Sequence, residues 1–398
     1  MKTVRMVAAE TSDRGRMYYL VDEALDFIPE VKHFLDWKMA TRRAPATVEA
    51  YCYRLSWYYR FLAQRRLAAT AVQASDLTEF VIWLCNPHRD ADNVSPIHTR
   101  SPLEARTVNM ILQAVSTFYH FLVRRGTLTE SPVKFVEVPR GKWLTERDLL
   151  AHTRRGAATV QRMELKLKEP RARPKTVSDD EFATFTESIR VDDRPGGDPA
   201  GFRDRLLCLM LKEGGFRIGE LLGMHLQDLD FGARAVRVCF RPDNENGARA
   251  KAGYGRDRLV HLPADVMGML DIYLTEVWVA FTPRTAHLWL VLKHDARDRT
   301  GRGTCGTALT RAAVEAMFRH YRAKSGVFLH PHMLRHTHAR DLVRSFGRAG
   351  ESTDWKFIQE RLGHASVVTT MATYAHLDDA DRKRAHEQYL QRREGIHA

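Results

Sequence analysis

The most informative stretch of this chain reads His-Met-Leu-Arg-His at residues 332–336 and Gly-His-Ala-Ser-Val-Val-Thr-Thr-Met-Ala-Thr-Tyr at residues 363–374. If a helix begins at His332, Arg335 lies three residues further along, so both side chains leave the same helix face. The pattern predicts a face with one imidazole and one guanidinium, and a second imidazole and a phenol follow downstream.

These side chains suit a phosphodiester. The guanidinium fork of an arginine can bind two phosphate oxygens at once. An imidazole can move a proton near neutral pH, and a tyrosine hydroxyl can attack phosphorus. The set lacks another cation, which must come from an upstream part of the chain.

The composition predicts a basic protein with hydrophobic cores. The chain has 398 residues, of which 44% are hydrophobic and 28% are charged, and this length suggests two or three domains. Its 62 lysines and arginines exceed its 49 acidic residues, so the formal net charge is +13. This excess predicts attraction to polyanions and an affinity that falls with salt, which makes nucleic acid the leading partner. A basic surface that serves only solubility is the alternative.

Cysteine usage and hydropathy predict a reduced, soluble, cytoplasmic protein. The five cysteines are scattered and form no Cys-x-x-Cys pair, so neither a zinc ribbon nor a disulfide framework is expected. The first residues do not resemble a secretory signal. No run approaches the roughly 20 apolar residues of a membrane helix, so no membrane contact is expected.

The N-terminal part reads as a hairpin followed by a helical bundle. Residues 1–26 contain two short alternating runs and are predicted to be an extension with a possible β-hairpin. Residues 27–126 carry apolar residues at three- and four-residue steps, most clearly over residues 108–122, and predict a bundle of four or so helices. Arg42 and Arg43 would contribute to a DNA-binding face of this bundle.

A basic segment, residues 127–175, is predicted to link two domains. Between Arg140 and Lys175 there are eleven lysines or arginines and four acidic residues. This composition fits a linker that lies on phosphates, with Lys142 as a candidate contact. A charge run that is merely solvated is the alternative.

Residues 176–398 are predicted to form the second domain. A capping-box spacing at its start predicts a helix, and period-two patterns at residues 236–240 and 259–262 predict two strands joined by a long glycine-rich connection. Helices dominate the remainder, with a strand predicted at residues 288–292 and a final helix at residues 381–393. The predicted fold class is mainly α with a small antiparallel β-sheet.

Two upstream cations are candidates to complete the site. Arg217 follows a Gly-Gly helix stop that can direct it into a cleft, with Glu220 one helical turn later to brace it. Lys251 lies on the glycine-rich connection, where Arg249 and Arg256 are competitors. An ordinary surface salt bridge and a solvated lysine are the alternatives. The glycine spacing around Arg217 is that of a phosphate loop, but Glu-Leu replaces the required Lys-Ser/Thr, which excludes a Walker-type NTPase.

The crowded histidines at residues 330–338 do not predict a metal site. His332 and His336 have the spacing of a zinc helix, but Met333 occupies the position of the glutamate in the H-E-x-x-H motif. The arginine beside them would also repel a cation. No metal is expected.

Three ordered motifs make the chain similar to the tyrosine recombinases, also called phage integrases. They are Gly-Gly-Phe-Arg-Ile-Gly-Glu-Leu at residues 214–221, His-x-x-Arg-His at residues 332–336, and Leu-Gly-His at residues 362–364 with Tyr-Ala-His-Leu at residues 374–377. The resemblance implies a helical core-binding (SAM-like) domain at about residues 27–126 and an α+β catalytic domain at about residues 176–394. Spacing and composition without the family support only a basic, two-domain phosphodiester binder.

The resemblance implies a role for each matching residue. Tyr374 would be the nucleophile that leaves a 3′-phosphotyrosyl link and a free 5′-hydroxyl. Arg217 and Arg335 would clamp the nonbridging oxygens in the transition state, and Lys251 would protonate the departing 5′ oxygen. The remaining roles are His332 as general base or acid, His364 as a phosphate ligand, and Glu220 and His336 as supporting residues.

The resemblance also implies a site-specific recombinase from a phage or transposable element. It would act without metal, ATP or another cofactor, as a nucleoid-associated homo-tetramer on two synapsed double-stranded DNA sites. The C-terminal helix would dock on a neighbouring subunit or on its own domain. Two alternatives are a type IB topoisomerase, which relaxes supercoils as a monomer, and a DNA-binding regulator on an inactive recombinase scaffold. Tyr389 is the rival nucleophile.

Overall fold

The computed structural model describes the chain in ten stretches: residues 4–11, 15–41, 43–86, 103–139, 159–170, 174–190, 198–251, 253, 255–292 and 303–375. The chain divides into two compact units, Met1–Arg171 and Ala172–Ala398. The predicted helix at residues 381–393 and the candidate DNA contacts Arg42 and Lys142 lie outside the described residues. Within these stretches, no helix combines the length and apolar character needed to cross a membrane.

The first unit contains the predicted hairpin and the predicted helices. Strands β1 (Arg5–Thr11) and β2 (Gly15–Val21) pair antiparallel, with Arg5 opposite Val21. The helices of its described part are α1 (Pro29–Ala40), α2 (Pro45–Arg65), α3 (Ala74–Cys85) and α4 (Ala105–Arg124), with a short 3₁₀ turn at Ala69–Ala71. The predictions of a hairpin and of about four helices are confirmed.

The aromatic stripes of these helices form the core of the first unit. Phe34, Tyr58 and Phe118 are fully buried. The Phe34 ring meets the Phe118 ring edge to face, with centroids 5.6 Å apart. Burial of large rings such as these contributes strongly to the stability of the bundle. The apolar period of α4 therefore reflects packing.

A second strand pair in this unit is not predicted by the sequence analysis. Strands β3 (Phe135–Pro139) and β4 (Thr159–Met163) pair antiparallel within the segment interpreted as a basic linker. Met163 belongs to the core of the first unit, and Asn109 on α4 donates to the carbonyl oxygen of Leu167 at 2.9 Å. The described ends of that segment are therefore attached to the helical bundle.

The second unit packs helices around a three-stranded antiparallel sheet. The α-helices of its described part are α5 (Asp179–Glu187), α6 (Pro199–Gly214), α7 (Ile218–Leu222), α8 (Ala264–Ile272), α9 (Arg311–Ser325), α10 (Pro331–Arg348) and α11 (Trp355–Leu362), followed by α12 over residues 367–375. A π-helical turn, Tyr273–Trp278, continues α8. Its strands, in the order β5-β6-β7, are Leu229–Asp230, Ala235–Val238 and Arg258–His261. A mainly α fold with a small antiparallel sheet is confirmed.

The predicted strand at residues 288–292 is wrong. Leu288, Trp289 and Leu290 are fully buried, but Leu290 forms only an isolated bridge with Ala308. A short apolar run is buried equally well in a strand or in a packed irregular segment, so its pattern does not separate the two.

Candidate active site

The turn between α6 and α7 positions Arg217. Gly215, with φ of +60°, ends α6 in the left-handed conformation that glycine adopts without strain. A Cβ atom at this position would collide with the ring of His338. Arg217 then caps α7, and its backbone N–H donates to the Glu220 carboxylate at 2.9 Å. The turn therefore fixes the direction in which the guanidinium leaves the backbone.

His332 and Arg335 lie near the start of α10, where Pro331 occupies the first turn. Arg335 is only 1% exposed. Its guanidinium donates to the carbonyl oxygens of Gly215 and Leu362, the first at 2.6 Å. Both carbonyls lie at helix C-termini, where the helix dipole is negative and stabilises a cation.

One buried carboxylate, that of Glu220, binds three arginines. Its Oε1 lies 2.7 Å from Arg217 Nη1, and its Oε2 lies 2.8 Å from Arg258 Nη2 and 3.7 Å from Arg335 Nη1. Burial would raise the pKa of Glu220, but Arg258, and then Arg335 and Arg217, lower it to about 2. Three guanidinium groups against one carboxylate leave a charge of +2 that can bind an anion.

The segment from α11 to α12 positions His364 and Tyr374. Gly363, with φ of +63°, follows α11, and a Cβ atom there would come within 2.7 Å of the Arg258 guanidinium. His364 Nδ1 lies 2.8 Å from the Thr370 hydroxyl, which fixes the orientation of the imidazole. The glycine therefore allows Arg258 to pass against the chain just before His364.

Tyr374, on α12, is 1% exposed and is buried within its own unit. Its hydroxyl lies 2.7 Å from His336 Nδ1. Its ring is parallel to the His364 ring, with centroids 6.3 Å apart and planes at 5°. The apolar side chains packed around it are Ala339, Val343, Ile358 and Leu362. The phenol is therefore within hydrogen-bond distance of one imidazole and lies beside a second.

Burial determines the protonation of the phenol and its partner. Burial raises the pKa of Tyr374 to about 12, although Arg335 and Arg217 act in the opposite direction. Burial lowers the pKa of His336 to about 4, and the charges of His332 and Arg335 add to this effect. At neutral pH the phenol therefore keeps its proton and His336 is neutral, so Nδ1 can accept a hydrogen bond from the hydroxyl.

The other imidazoles of the site are neutral too. Burial, followed by the charge of Arg335, lowers the pKa of His332 and lowers that of His364 to about 4. Burial and the charge of Arg217 lower the pKa of Arg335 to about 9, so this guanidinium stays charged at neutral pH. The fixed positive charge of the site comes from its arginines.

An open cleft of about 690 Å³ adjoins the cluster. Arg217, Lys251, Arg256 and His364 are among the residues that line it. Lys251 is exposed on the connection between β6 and β7, and its charge contributes to the low pKa of His332. The cleft can therefore accommodate a phosphate group between Lys251 and the arginines.

The structure brings most of the predicted site residues together in the second unit. They are Arg217, Glu220, Lys251, His332, Arg335, His336, His364 and Tyr374. The carbonyl of Arg249 packs against Gly219 of α7, and Arg43 is exposed in the first unit. The described part of the chain contains no group of three or more His, Cys, Asp or Glu side chains that could hold a metal ion.

Comparison with known families decides the classification. Residues 179–381, about half of the chain, match the phage integrase family, and residues 31–126 match the N-terminal SAM-like domain of phage integrases. The chain belongs to the phage integrase family. The predicted combination of a SAM-like domain with a catalytic domain is confirmed.

Relatives of this integrase-family chain include transposon proteins and Xer recombinases. Transposase A from transposon Tn554 of Staphylococcus aureus is 30% identical over 382 residues, which cover 95% of each chain. Tyrosine recombinase XerC of Xanthomonas axonopodis pv. citri (strain 306) is 24% identical over 79% of this chain and 88% of its own. The Tn1549 transposon integrase, solved in complex with a circular intermediate DNA, has a similar fold: the TM-score is 0.57 at 15% identity, over 89% of this chain and 99% of that one. The predicted resemblance to tyrosine recombinases is confirmed.

Arg258 belongs to this integrase site and is not predicted by the sequence analysis. Its guanidinium binds Glu220, and its Nε donates to the carbonyl oxygen of Arg361 at 3.0 Å. A signal was present, because Arg258 lies two residues before the fully buried Val260 and so shares its strand face. An arginine on a buried strand face requires a buried anion, and Glu220 is the nearest candidate in the motif.

Proposed function

We propose that this chain is a site-specific DNA recombinase that cuts and rejoins DNA through a covalent bond between Tyr374 and a 3′-phosphate. The reaction class is that of the phage integrase family, and relatives of this chain are named tyrosine recombinase and transposase. One observation supports Tyr374 as the nucleophile. Its hydroxyl lies 2.7 Å from the neutral imidazole of His336, where the charges of Arg335 and Arg217 also act on it.

In cleavage, the Tyr374 oxygen forms a bond to the scissile phosphorus, and the bond between phosphorus and the 5′ oxygen breaks. Because His336 Nδ1 already lies 2.7 Å from the hydroxyl, His336, rather than His332, is our choice as general base for the phenol proton. Burial is the main cause of the separation between the two pKa values, so the transfer takes place after the site has opened. Lys251 donates a proton to the departing 5′ oxygen. In rejoining, a 5′-hydroxyl attacks the phosphotyrosyl ester and releases the tyrosine. The ester retains the energy of the broken bond.

The arginine cluster provides the electrostatic part of this mechanism. Negative charge grows on the nonbridging oxygens as the phenolate attacks, and Arg217 and Arg335 are the proposed ligands of those oxygens. Their positions are fixed before DNA binds, because Glu220 and helix-terminal carbonyls already hold them. His332 and His364 would complete the phosphate contacts as neutral hydrogen-bonding groups. Preorganised donors of this kind need little rearrangement during the reaction.

Cleavage also requires a structural change. Tyr374 is 1% exposed, and it is not among the residues that line the described cleft. The change must expose the phenol oxygen to the cleft while keeping it within reach of His336. Binding of DNA, or of a neighbouring subunit, can supply it, which would couple cleavage to assembly.

The proposed partner is double-stranded DNA carrying recombination sites, bound by a homo-tetramer on two synapsed sites. For the DNA, support comes from solved structures of similar fold, among them the Tn1549 integrase in complex with a circular intermediate DNA. The tetramer stays a prediction from the family resemblance. Arg43, Arg249 and Arg256 stay candidate DNA contacts, because they are cationic and exposed or half-buried. Cytoplasmic, nucleoid-associated localisation stays a prediction, since it follows from a chromosomal DNA substrate.

Trapping on a suicide substrate tests the nucleophile. The probes are duplexes tiled across the DNA that flanks the gene, each nicked so that the short 5′-hydroxyl fragment is lost after cleavage. The wild-type protein should form a covalent adduct with the duplex that contains its site, and Tyr374→Phe should bind that duplex but form no adduct.

Tyr321→Phe is the matched control, because it removes a hydroxyl from the same unit that instead contacts Asp204. It should retain adduct formation. An adduct in Tyr374→Phe would refute Tyr374 as nucleophile and favour Tyr389. Relaxation of supercoiled DNA without any specific site would favour the topoisomerase, and a wild type that forms no adduct on any duplex would favour the regulator.

A further inference from the structure

A large exposed aromatic ring lies near the proposed active site. Phe328 follows Gly326, which caps α9, and precedes α10; it is 59% exposed. Two cations lie over the ring: Arg322 Cζ is 5.2 Å and Lys175 Nζ is 5.7 Å from its centroid. The ring of His330 meets it edge-on, at 6.0 Å and 85°. An apolar ring is therefore presented at the surface within a basic group, here called the Phe328 cluster (Lys175, Arg322, Phe328 and His330).

The backbone that carries the Phe328 cluster is anchored. Two residues after Lys175, the Val177 N–H donates to the Thr337 hydroxyl at 3.0 Å, and the Val177 carbonyl accepts from Arg340 at 2.8 Å. Both partners lie on α10, and Arg322 lies in the last turn of α9. The ring and its cations are therefore held by two packed helices.

The charge of the Phe328 cluster is uncompensated within the described residues. The buried Nε of Arg322 has no hydrogen-bond partner there, and the cationic heads of Lys175 and Arg322 lie over the Phe328 ring. Burial and the charges of Arg322 and Lys175 lower the pKa of His330, so this imidazole is neutral at neutral pH. A net charge of +2 beside an exposed ring is complementary to a polyanion that also carries flat, stackable groups.

The Phe328 cluster adjoins the site of the proposed reaction. Phe328 lies four residues before His332, and His330 lies two residues before it. His330 is the N-cap of α10 and His332 lies in the first turn of that helix, so the Phe328 cluster is continuous with the backbone that carries His332. A DNA strand whose phosphate lies at Arg217 and Arg335 therefore passes near the cluster.

We propose that Phe328 is a stacking platform for the base of an unpaired nucleotide close to the scissile phosphate, and that Lys175 and Arg322 bind the phosphates on either side of it. The proposal rests on the proposed function, because it places the scissile phosphate at Arg217 and Arg335. Phosphate binding alone would need the cations but not the exposed ring. A base inside a duplex has both faces covered by its neighbours, so only an unpaired or unstacked base can use the platform.

A coupled substitution of protein and DNA tests the platform. Binding of the full chain is measured to the adduct-forming duplex and to versions of it that carry one abasic nucleotide at successive positions beside the cut. Phe328→Leu, which keeps an apolar side chain but loses the ring, should bind the intact duplex roughly fivefold to a hundredfold more weakly. Phe328→Trp should bind like the wild type. At one position, the abasic nucleotide should abolish the difference between wild type and Phe328→Leu.

Phe231→Leu is the matched control, because Phe231 is another exposed ring of the same unit, at 40% exposure, and should bind like the wild type. Lys175→Ala and Arg322→Ala should each lower the slope of log affinity against log salt by about 1.

If the loss of affinity in Phe328→Leu persists at each abasic position, the ring does not stack on a base and the proposal is refuted. Normal binding of one site by Phe328→Leu with failed multi-subunit assembly would also refute it, since the ring would then contact protein. The absence of any adduct with the wild type would instead refute the proposed function.

Discussion

Glu220→Gln tests whether one carboxylate holds the active site together. In the folded protein this side chain is fully buried and binds Arg217 and Arg258 at 2.7 and 2.8 Å, with Arg335 at 3.7 Å. Glutamine has nearly the same shape and keeps an oxygen that can accept hydrogen bonds. The substitution therefore removes the negative charge and changes little else, and it leaves three guanidinium groups to repel each other.

The size of the effect follows from the pKa of Glu220. The arginines lower that pKa from its ordinary value of 4.5 to about 2. At about 1.4 kcal/mol for each pKa unit, this difference corresponds to roughly 3 kcal/mol of stability. Removing one partner of a buried ion pair costs about 3–5 kcal/mol in other proteins, which agrees with this value.

The pH dependence has a definite sign. Because the folded protein lowers the pKa of Glu220, the stabilisation is fully present above about pH 4.5 and is lost as the pH falls towards 2. The free energies of unfolding of wild type and Glu220→Gln should therefore differ by roughly 3 kcal/mol at pH 7, and the difference should shrink below about pH 4.5.

Urea unfolding at pH 7, followed by hydrogen exchange of peptides from each unit, measures the stability of residues 172–398 separately. Glu315→Gln is the matched control: Glu315 binds Arg311 at 2.8 Å, but its side chain is 52% exposed on the surface of α9. An exposed pair of this kind contributes about 0.3–0.5 kcal/mol. If Glu220→Gln and Glu315→Gln lose the same stability, the carboxylate does not hold the cluster, and the electrostatic account of the site is wrong.

Two further predictions concern proton transfer. His336→Gln should slow adduct formation by roughly 100- to 10,000-fold. The second-order rate of adduct formation by the wild type should stay level near pH 6.5 and fall only towards the His336 pKa of about 4. A wild-type midpoint near pH 6.5, or a normal rate in His336→Gln, would contradict His336 as the base. Lys251→Ala should cleave an ordinary phosphodiester more slowly by a similar factor. It should regain cleavage when sulfur replaces the leaving 5′ oxygen, because a thiolate leaves without a proton. Arg256→Ala is the control, and a sulfur substrate that does not rescue Lys251→Ala would argue against Lys251 as the acid.

The sequence predicts the site where neighbouring residues determine it. His332 and Arg335 share a helix face by spacing alone, and Arg217 follows from a Gly-Gly helix stop and its bond to Glu220. These relations are local, so they can be derived from the order of the residues.

Other parts of the site depend on contacts between distant segments. The bond between His336 and Tyr374 joins residues 38 positions apart, and Arg258 reaches Glu220 across 38 positions from a strand. The β3–β4 pair was missed for the same reason, since its strands are separated by a long charged segment. Spacing and composition carry no information on which distant side chains meet.

The two arginines proposed to hold the phosphate differ in how they are bound, and this difference indicates different contributions. Arg335 is 1% exposed and makes short hydrogen bonds to carbonyls at two helix ends, so its position is part of the fold. The side chain of Arg217 is 23% exposed and lines the cleft, and its contacts with the carbonyls of Leu362 and Gly363 are long, at 3.3–3.4 Å. Long hydrogen bonds can be exchanged for phosphate oxygens at little cost, whereas the short bonds of a buried group cannot. Arg217 is therefore the guanidinium that captures the phosphate from the cleft. Arg335 stays fixed by its two carbonyl partners, and its remaining N–H groups are the proposed ligands of a nonbridging oxygen once the structural change brings the phosphate and Tyr374 together.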